Sequence, residues 1–391
     1  MTADSMVDGF DRERMRRYRL QRTDEMMKKL NLDAVVVTTF DNVRYVADCR
    51  PYFSAVYYVN AYVVVLPRNR QPIVQGPVVE GAPMGLAPSV KGWQGYPMIP
   101  VPAIAPKWGS MVSTILKDNK IQSGRVGFDD ISFMSYLEMS RSLPRIEVVP
   151  AFNAMLDARA VKGPDEIALL RKAAQIVDIG AQAGLDCIKP GVRERDVVAR
   201  MASAMYEAGS EAEPWATSLS SGERALTSVF ASDRVLKDGD LAVFDLGSIY
   251  EGYLGDVART GAAGSASREA RAIYTAAYDA LMAGTKAVRP GARSSEVDGK
   301  IRQALIDAKC NVSPLSTGHG IGTGAPEIPW ITPREEGITD FELKAGMVLC
   351  LEPRTSKDGI AAAGCEDTML VTESGHEVLT HCTRQEHLLV R

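Results

Sequence analysis

The stretch Leu236-Lys237-Asp238-Gly239-Asp240-Leu241-Ala242-Val243-Phe244-Asp245 aligns without a gap on a later one, Leu343-Lys344-Ala345-Gly346-Met347-Val348-Leu349-Cys350-Leu351-Glu352. Each reads as a turn followed by a buried strand that ends on a carboxylate. Upstream of each, a Pro-Gly pair opens a helix, over residues 189–208 in the first case and 289–309 in the second. The order helix, helix, turn and strand is thus repeated, and the chain contains a duplicated domain.

A second acid follows each strand within a predicted hairpin, Asp256 in the first half and Glu366 in the second. A buried carboxylate without a partner is costly, so a cation is expected beside such an acid. An ion pair or a turn cap explains one acid, because buried charges are usually paired, but four acids on repeated strands favour a shared cation site. His319 alone among the four histidines lies in a Gly-rich segment, 316–322, although by itself it reads as a structural histidine.

Four carboxylates and one imidazole are donors that suit a pair of divalent first-row ions, such as Mn, Fe, Co or Zn. Two ions about 3.5–4 Å apart can share a bridging water, lower its pKa and stabilise the oxygen on which charge develops during hydrolysis. These residue types therefore indicate a metal-dependent hydrolase.

Composition excludes several other classes of protein. The chain has 391 residues, of which 46% are hydrophobic and 24% charged, as is typical of a folded globular protein. A net charge of -4 without a basic run makes nucleic acid a poor partner. The longest apolar stretch, residues 61–67, is far shorter than the roughly 20 residues that span a bilayer, so no membrane segment is expected. Six cysteines without a CxxC pair indicate reduced thiols in a cytoplasmic protein.

The region before the duplication alternates helix and strand signals, which predicts an α/β domain over residues 1–155. It carries no dinucleotide or phosphate-binding fingerprint. Gly163-Pro164-Asp165-Glu166 then opens a long helix to about Cys187, so the second domain is predicted over residues 156–391. The elements predicted in the first domain are helices over 11–30 and 133–141, strands over 33–39, 125–129 and 146–149, and a β-rich stretch over 55–66.

Five motifs resemble, in order and spacing, the ligand signature of the creatinase/prolidase/aminopeptidase P/methionine aminopeptidase superfamily. The resemblance covers nearly the whole chain and implies an α/β fold with a creatinase-type N-terminal domain and a duplicated α+β pita-bread domain. It also implies a homodimer. The motifs are Phe244-Asp245-Leu246-Gly247, Gly252-Tyr253-Leu254-Gly255-Asp256-Val257-Ala258-Arg259-Thr260, Thr317-Gly318-His319-Gly320-Ile321-Gly322, Leu351-Glu352-Pro353 and Cys365-Glu366-Asp367-Thr368.

The resemblance further implies a dinuclear centre of Mn, Co, Fe or Zn. Asp245 and Asp256 would bind one ion, and Asp256 and Glu366 would bridge both. The second ion would be completed by His319 and Glu352. Glu366 would also act as the base toward a metal-bridged hydroxide. Arg259 is the other residue assigned to catalysis, since together with Thr260 it would orient the acids.

The sequence departs from the superfamily at two histidines that its peptidases use as hydrogen-bond donors. Val229 stands seven positions after Gly222, and Pro326 stands seven positions after His319, where those histidines are expected. Losing one such donor typically removes about 10²–10⁴-fold of the rate. The native substrate is therefore expected to be a small polar or dipeptide-like compound with an amide, imide or Xaa-Pro-like C–N bond. The residues predicted to contact it are Trp215, Arg224, Glu327, Trp330 and Arg354.

Two alternatives remain open at this point. The chain keeps the five metal ligands but lacks both peptidase histidines. In this combination it resembles the dimethylsulfoniopropionate lyases of the superfamily, in which the metal site supports elimination. Those lyases carry a second aspartate two residues after the first ligand, whereas this chain has Gly247. A non-catalytic binding protein is the other alternative, although such relatives typically lose the ligands that this chain keeps.

Overall fold

The computed structural model describes Val7 and residues 9–51, 62–75, 79–80, 101–314 and 316–383. The chain forms two compact units, Asp11–Arg159 and Ala160–Arg391. In chain order, the elements of the first unit are α1 (Arg12–Lys29), β1 (Ala34–Val37), α2 (Phe40–Ala47), β2 (Arg50–Pro51), β3 (Val63–Pro67), β4 (Ile73–Gln75), β5 (Val79–Glu80), α3 (Val101–Asp118), β6 (Gly124–Phe128), α4 (Phe133–Ser142), β7 (Ile146–Pro150) and α5 (Phe152–Ala160).

The first unit is built on a five-stranded mixed sheet with the order β4-β3-β1-β6-β7. Strands β1, β6 and β7 are parallel, and β3 and β4 are antiparallel to their neighbours. Val35 and Val37 pack on the face that holds α1, α2 and α5, whereas Val36 packs on the face that holds α3 and α4. Helices thus cover both faces, which is why the central strand is apolar throughout.

The structure confirms the predicted helices over 11–30 and 133–141 and the predicted strands over 33–39, 125–129 and 146–149. It also contains three helices that the sequence did not predict. In α2 the six residues 42–47 are all buried, which leaves no helical period to read, and α3 contains two prolines. The β-rich stretch predicted over 55–66 lies mostly outside the described residues, and β3 begins at Val63.

Three arginines of α1 surround one buried carboxylate in this unit. Asp48 caps the C-terminus of α2 in the left-handed conformation. It accepts hydrogen bonds from Arg16 at 2.8 Å, Arg19 at 3.1 Å and Arg12 at 3.2 Å. Burial alone would raise the pKa of Asp48, but the charges of Arg19, Arg12 and Arg16 outweigh burial and hold it below its ordinary value. We call these four residues the arginine cluster.

The second unit carries the duplication. In chain order its elements are α6 (Pro164–Cys187), α7 (Glu194–Glu207), β8 (Ser218–Ser221), β9 (Leu241–Tyr250), β10 (Tyr253–Ala262), α8 (Arg268–Ala287), α9 (Ser294–Asp307), β11 (Gly318–Gly320), β12 (Glu327–Ile331), β13 (Val348–Leu351), β14 (Arg354–Lys357), β15 (Ala361–Gly364), β16 (Asp367–Val371) and β17 (His376–Val378). The sheets have the orders β10-β9-β8 and β12-β11-β13-β16-β17, and β14 pairs with β15.

The two halves of the second unit repeat one pattern of backbone hydrogen bonds. The amide of Gly191 donates to the carbonyl of Leu236, and the amide of Gly291 donates in the same way to that of Leu343. Both glycines have positive φ, +90° and +81°, a conformation that side chains other than hydrogen disfavour. In each half this glycine lies between two helices that pack together, α6 and α7 in the first half and α8 and α9 in the second. The duplication predicted from the sequence is therefore present in the backbone.

The prediction that the strand of the first half ends at Asp245 was wrong. β9 continues to Tyr250 and turns at Glu251 and Gly252, which have φ of 48° and 78°. The strand continues because Ser248, Ile249 and Tyr250 are buried like its first four residues. In the second half, Glu352 directly follows β13, as predicted. Among the described helices, none combines bilayer-spanning length with sustained apolar character.

Candidate metal centre

The hairpin β9–β10 places the two acids of the first half on one face. Asp245 pairs with Ala258, and Asp256 pairs with Gly247. Side chains alternate along a strand, so positions 245 and 247 share a face, and Asp256 projects from the same face opposite Gly247. The space above Gly247 is filled by Trp215, since a Cβ at this glycine would lie 2.6 Å from the indole ring. The hairpin thus places both carboxylates on the sheet face that Trp215 covers at Gly247.

Three neighbouring strands place the donors of the second half on one face. His319 on β11 pairs with Cys350 on β13, which in turn pairs with Thr368 on β16. Glu352 lies two residues after Cys350, and Glu366 lies two residues before Thr368. Because the side-chain period of a strand is two, all five side chains are directed to the same side.

The predicted ligands of both halves come together in the structure. His319 Nε2 lies 3.7 Å from Asp256 Oδ2 and 3.7 Å from Glu352 Oε1. One donor atom each of Asp256, His319, Cys350 and Glu366 lies within 4.8 Å of the others. His319 Nδ1 is 3.0 Å from the carbonyl oxygen of Gly320, to which it donates when the imidazole is neutral. That hydrogen bond leaves the lone pair of Nε2 facing the carboxylates, as a metal ligand requires.

The electrostatics of the four carboxylates, which we call the acid cluster, favour bound cations. Burial, then the charge of Glu352, raises the pKa of Asp245 to about 6, and burial raises that of Glu352 to about 7. Burial and neighbouring carboxylates raise the pKa values of Asp256 and Glu366 well above the ordinary range. Burial lowers the pKa of His319, which keeps the imidazole neutral.

Several oxygens of the acid cluster are buried without a hydrogen-bond partner among the described residues. They are Asp245 Oδ1, Asp256 Oδ1 and Glu366 Oε1. Such orphaned oxygens are rare in folded proteins, and carboxylates in this state are stabilised by paired charges or by metals. The donor set of four carboxylates and one neutral imidazole therefore fits divalent first-row ions.

Two arginines lie next to this centre and differ in their contacts. Arg354, at the start of β14, acts on Asp245 and Glu352 through its charge. Arg259 is 4% exposed and donates to the backbone carbonyl of Glu366, and to the carboxylate of Asp367 at 2.9 Å. Arg259 thus holds the backbone that carries Glu366 and is a positioning residue. Thr260 acts in the same region, with its hydroxyl 2.8 Å from the carbonyl of Gly364.

The structure gives the other predicted substrate contacts different surroundings. A hydrogen bond from Trp215 lowers the pKa of Asp245, so this tryptophan contacts a predicted ligand. Trp330 is half-buried on β12. Arg224 is occupied by internal bonds, with its Nη1 2.6 Å from Glu194. Glu327 is buried and lies 2.6 Å from Lys162 Nζ. The assignment of these residues to substrate stays a prediction.

Sequence reasoning missed Cys350, which is wholly buried within the donor group. All six cysteines are free, and Cys350 alone among them belongs to that group in the described chain. Its hydrogen-bond partner is Thr368, whose hydroxyl lies 3.3 Å from Sγ. The strand period contained the signal, because Cys350 precedes the predicted ligand Glu352 by two residues and so shares its face.

The chain is similar to known metallopeptidases in both sequence and structure. The model of metallopeptidase family M24 matches residues 168–373, and that of the creatinase/prolidase N-terminal domain matches residues 19–161. The uncharacterized peptidase YqhT of Bacillus subtilis (strain 168) is 30% identical over 67% of this chain and 74% of its own length. The Xaa-Pro dipeptidase of Pyrococcus furiosus is 34% identical over 60% of this chain and 66% of its own length. The solved Xaa-Pro dipeptidase from Bacillus anthracis superposes with a TM-score of 0.79 at 27% identity, covering 95% of this chain and 99% of that one.

Proposed function

Because the chain belongs to metallopeptidase family M24, we propose that it is a dinuclear metal hydrolase that cleaves a C–N bond in a small polar or dipeptide-like substrate. The bond is of amide, imide or Xaa-Pro-like type. The observation that carries the proposal is the acid cluster, whose buried oxygens lack partners among the described residues and whose pKa values are raised. Its fold, a creatinase-type domain followed by a duplicated pita-bread domain, is that of its family.

Each residue of the centre would have its own role. Asp245 and Asp256 would hold one ion, His319 and Glu352 the other, with Asp256 and Glu366 shared between them. Bound divalent ions would supply an acidified water and a Lewis acid for the carbonyl oxygen of the substrate. Glu366 would accept the proton of that water, since its buried carboxyl has a raised affinity for protons. Arg259 fixes the position of Glu366 through its backbone carbonyl.

Dipeptide-like substrates are supported by the relatives whose printed names are Xaa-Pro dipeptidase. Arg354 is the substrate contact that the surroundings support best. Arg354 carries a charge beside the acids with no hydrogen bond or ion pair to any described residue, so it can receive an anionic group of the substrate. Val229 and Pro326, both exposed, offer no side-chain donor at the positions of the two missing histidines.

The space around Gly247 opposes the lyase alternative. A Cβ at this position would lie 2.6 Å from Pro214 and 2.6 Å from Trp215. The aspartate that dimethylsulfoniopropionate lyases carry two residues after the first ligand therefore has no room on this backbone. This packing supports water attack over elimination as the reaction.

Mass spectrometry of products tests the proposal. The Mn²⁺- or Co²⁺-loaded full chain is incubated with Xaa-Pro dipeptides, small N-acyl and cyclic amides, and dimethylsulfoniopropionate. We expect products whose masses sum to substrate plus one water, at a rate that Glu366→Gln lowers by about 10²–10⁴-fold. Products that sum to the substrate alone would overturn hydrolysis and support elimination. Turnover unaffected by Glu366→Gln would contradict the role of this carboxylate.

The assembly is also proposed to be a homodimer. Phe133 and Met134, at the start of α4, are 71% and 51% exposed, which is unusual for adjacent large apolar side chains. Light scattering of the purified chain measures its mass directly, and a monomer at micromolar concentration would contradict this assignment. The predicted cytoplasmic location stays a prediction.

A further inference from the structure

Cys350 differs from the other free cysteines in what surrounds it. Its Sγ belongs to the group of donor atoms, with Asp256, His319 and Glu366, that lie within 4.8 Å of one another. The side chain is 0% exposed and lies on the same sheet face as the predicted ligands. A buried thiol in an apolar core has apolar neighbours, whereas this one is enclosed by metal-binding groups.

The distances suit direct coordination by sulfur. Zinc-like ions bind thiolate at about 2.3 Å and oxygen or nitrogen at about 2.0–2.2 Å, so two donors on opposite sides of one ion are about 4.5 Å apart and tetrahedral donors are closer together. The four donor atoms lie within 4.8 Å of one another. Side-chain rotations that draw Sγ, Asp256, His319 and Glu366 closer together would bring them onto one ion.

A second observation points to a ligand at the same place. Asp256 Oδ1 and Glu366 Oε1 are buried without a hydrogen-bond partner among the described residues, and both residues belong to the donor group that contains Sγ. These two carboxylates are 3% and 1% exposed. Unsatisfied buried oxygens in the same group as a thiol indicate that an ion completes the group.

Charge and hydrogen bonding are compatible with a bound thiolate. The acid cluster and a thiolate carry five negative charges, which two divalent ions and the Arg354 guanidinium neutralise. The Thr368 hydroxyl lies 3.3 Å from Sγ and 2.8 Å from the Asp256 carbonyl oxygen. It can therefore turn from that carbonyl and donate to the sulfur, as the outer partners of metal ligands commonly do.

We propose that Cys350 is a sulfur ligand of the metal centre and gives this chain a preference for softer ions, Zn²⁺, Co²⁺ or Cd²⁺, over Mn²⁺. On binding, the S–H bond breaks, the proton leaves to solvent and sulfur donates an electron pair to the ion, with no change of oxidation state. Thiolate selects such ions, whereas carboxylates alone suit Mn²⁺. The inference rests on the proposed metal-dependent function and adds a sixth donor to it.

Spectroscopic titration of the metal-free full chain with Cd²⁺ and Co²⁺ tests the inference without using activity. A thiolate ligand produces a sulfur-to-metal charge-transfer band, while bound ions are counted by equilibrium dialysis. The variants are Cys350→Ser and Cys350→Ala, so that a folding defect in one leaves the other informative. Cys49→Ser is the matched control, because Cys49 is equally buried, at 0% exposure, and belongs to the first unit.

We expect the band in the wild type and in Cys49→Ser, and its loss in both Cys350 variants while ions remain bound. The ratio of Cd²⁺ to Mn²⁺ affinity should fall by at least about 10-fold in Cys350→Ser. Ions bound to the wild type without the band, or a band that persists in the variants, would overturn the role of Cys350 and leave the proposed function standing. Failure of the wild type to bind any ion would overturn both.

Discussion

The arginine cluster and the acid cluster bury carboxylates in opposite ways. Asp48, in the first unit, accepts hydrogen bonds from three arginines, and their charges hold its pKa below the ordinary value despite burial. In the second unit, Asp245 and Glu352 are buried among other acids, and their pKa values rise to about 6 and about 7. The chain supplies three arginines for one carboxylate at the first place, whereas Arg354 alone is too little for the acid cluster, whose remaining counter-charge must come from outside.

This difference separates structural carboxylates from those of a site. Burial costs an anion several kcal/mol wherever it occurs, so an acid must be paired, protonated or bound to a cation. Asp48 is paired within the chain, and its contribution to stability does not depend on a bound metal. The acid cluster is stable only when it is protonated or bound to cations, which makes it responsive to pH and to metal.

The largest effect should follow from removing one member of the acid cluster. Asp256→Asn should lower metal affinity and turnover by more than about 100-fold, since loss of an outer partner alone costs about 10–100-fold. The unfolding free energy of the metal-free protein should change by less than about 1 kcal/mol, because burial raises the pKa of Asp256 and favours the neutral carboxyl, of which the amide is an isostere. Metal analysis and urea denaturation measure the two quantities. Full metal content in this variant would contradict the role of the acid cluster in metal binding, and with it the difference proposed between the two clusters.

The corresponding change in the arginine cluster should act on stability instead. Asp48→Asn should lower the unfolding free energy by about 3–5 kcal/mol, because the buried Arg19 loses its ion pair with this carboxylate. Glu13→Gln is the control, since Glu13 also pairs with Arg16 but is 66% exposed and should cost less than about 1 kcal/mol. Urea denaturation measures both. Equal effects of the two substitutions would show that burial of an ion pair does not determine its contribution to the unfolding free energy.

A moderate effect is expected from the tryptophan above the acid cluster. Trp215→Phe removes the hydrogen bond to Asp245 and should lower metal affinity by about 10–100-fold. Trp330→Phe serves as the control, because no hydrogen bond to a predicted ligand is lost. Competitive chelator titration measures both affinities. Unchanged affinity in Trp215→Phe would mean that the indole only fills space over Gly247.

The smallest effect is a shift of melting temperature with pH. The raised pKa values of Asp245 and Glu352 give stability that is full below their ordinary values of 3.8 and 4.5 and is lost as pH rises through about 6 and 7. Asp48, with a lowered pKa, contributes above 3.8 and loses that contribution as pH falls. Added Mn²⁺ should therefore raise the melting temperature by a few degrees more at about pH 8 than at about pH 5. A gain independent of pH, measured by scanning fluorimetry, would argue that the acids are ionised without metal.

Much of the fold and the predicted ligand set could be inferred from sequence. The superfamily and the duplicated domain are confirmed. Asp245, Asp256, His319, Glu352 and Glu366 were identified because acids at repeated positions of buried strands are costly unless a cation binds them. Their proximity follows from the strand period and the pairing of neighbouring strands.

The surroundings of the other predicted residues could not be inferred, because they depend on contacts between residues that are distant in the sequence. Glu327 pairs with Lys162, which lies 165 residues away, and Arg224 pairs with Glu194, which lies 30 residues away. Neither spacing is periodic, so both residues resembled free side chains. The sequence predicts Cys350 only as a reduced thiol, like the other five cysteines, and its neighbours alone distinguish it.

The duplicated backbone also bears on how such a centre can evolve. Both halves keep the same glycine turn, through Gly191 and Gly291, while their donor atoms have diverged. In the proposed centre the first half contributes only oxygen donors, and the second contributes nitrogen and sulfur as well as oxygen. Selection on metal preference can therefore act on one copy of the repeat while the hydrogen-bonded frame of the other is inherited unchanged.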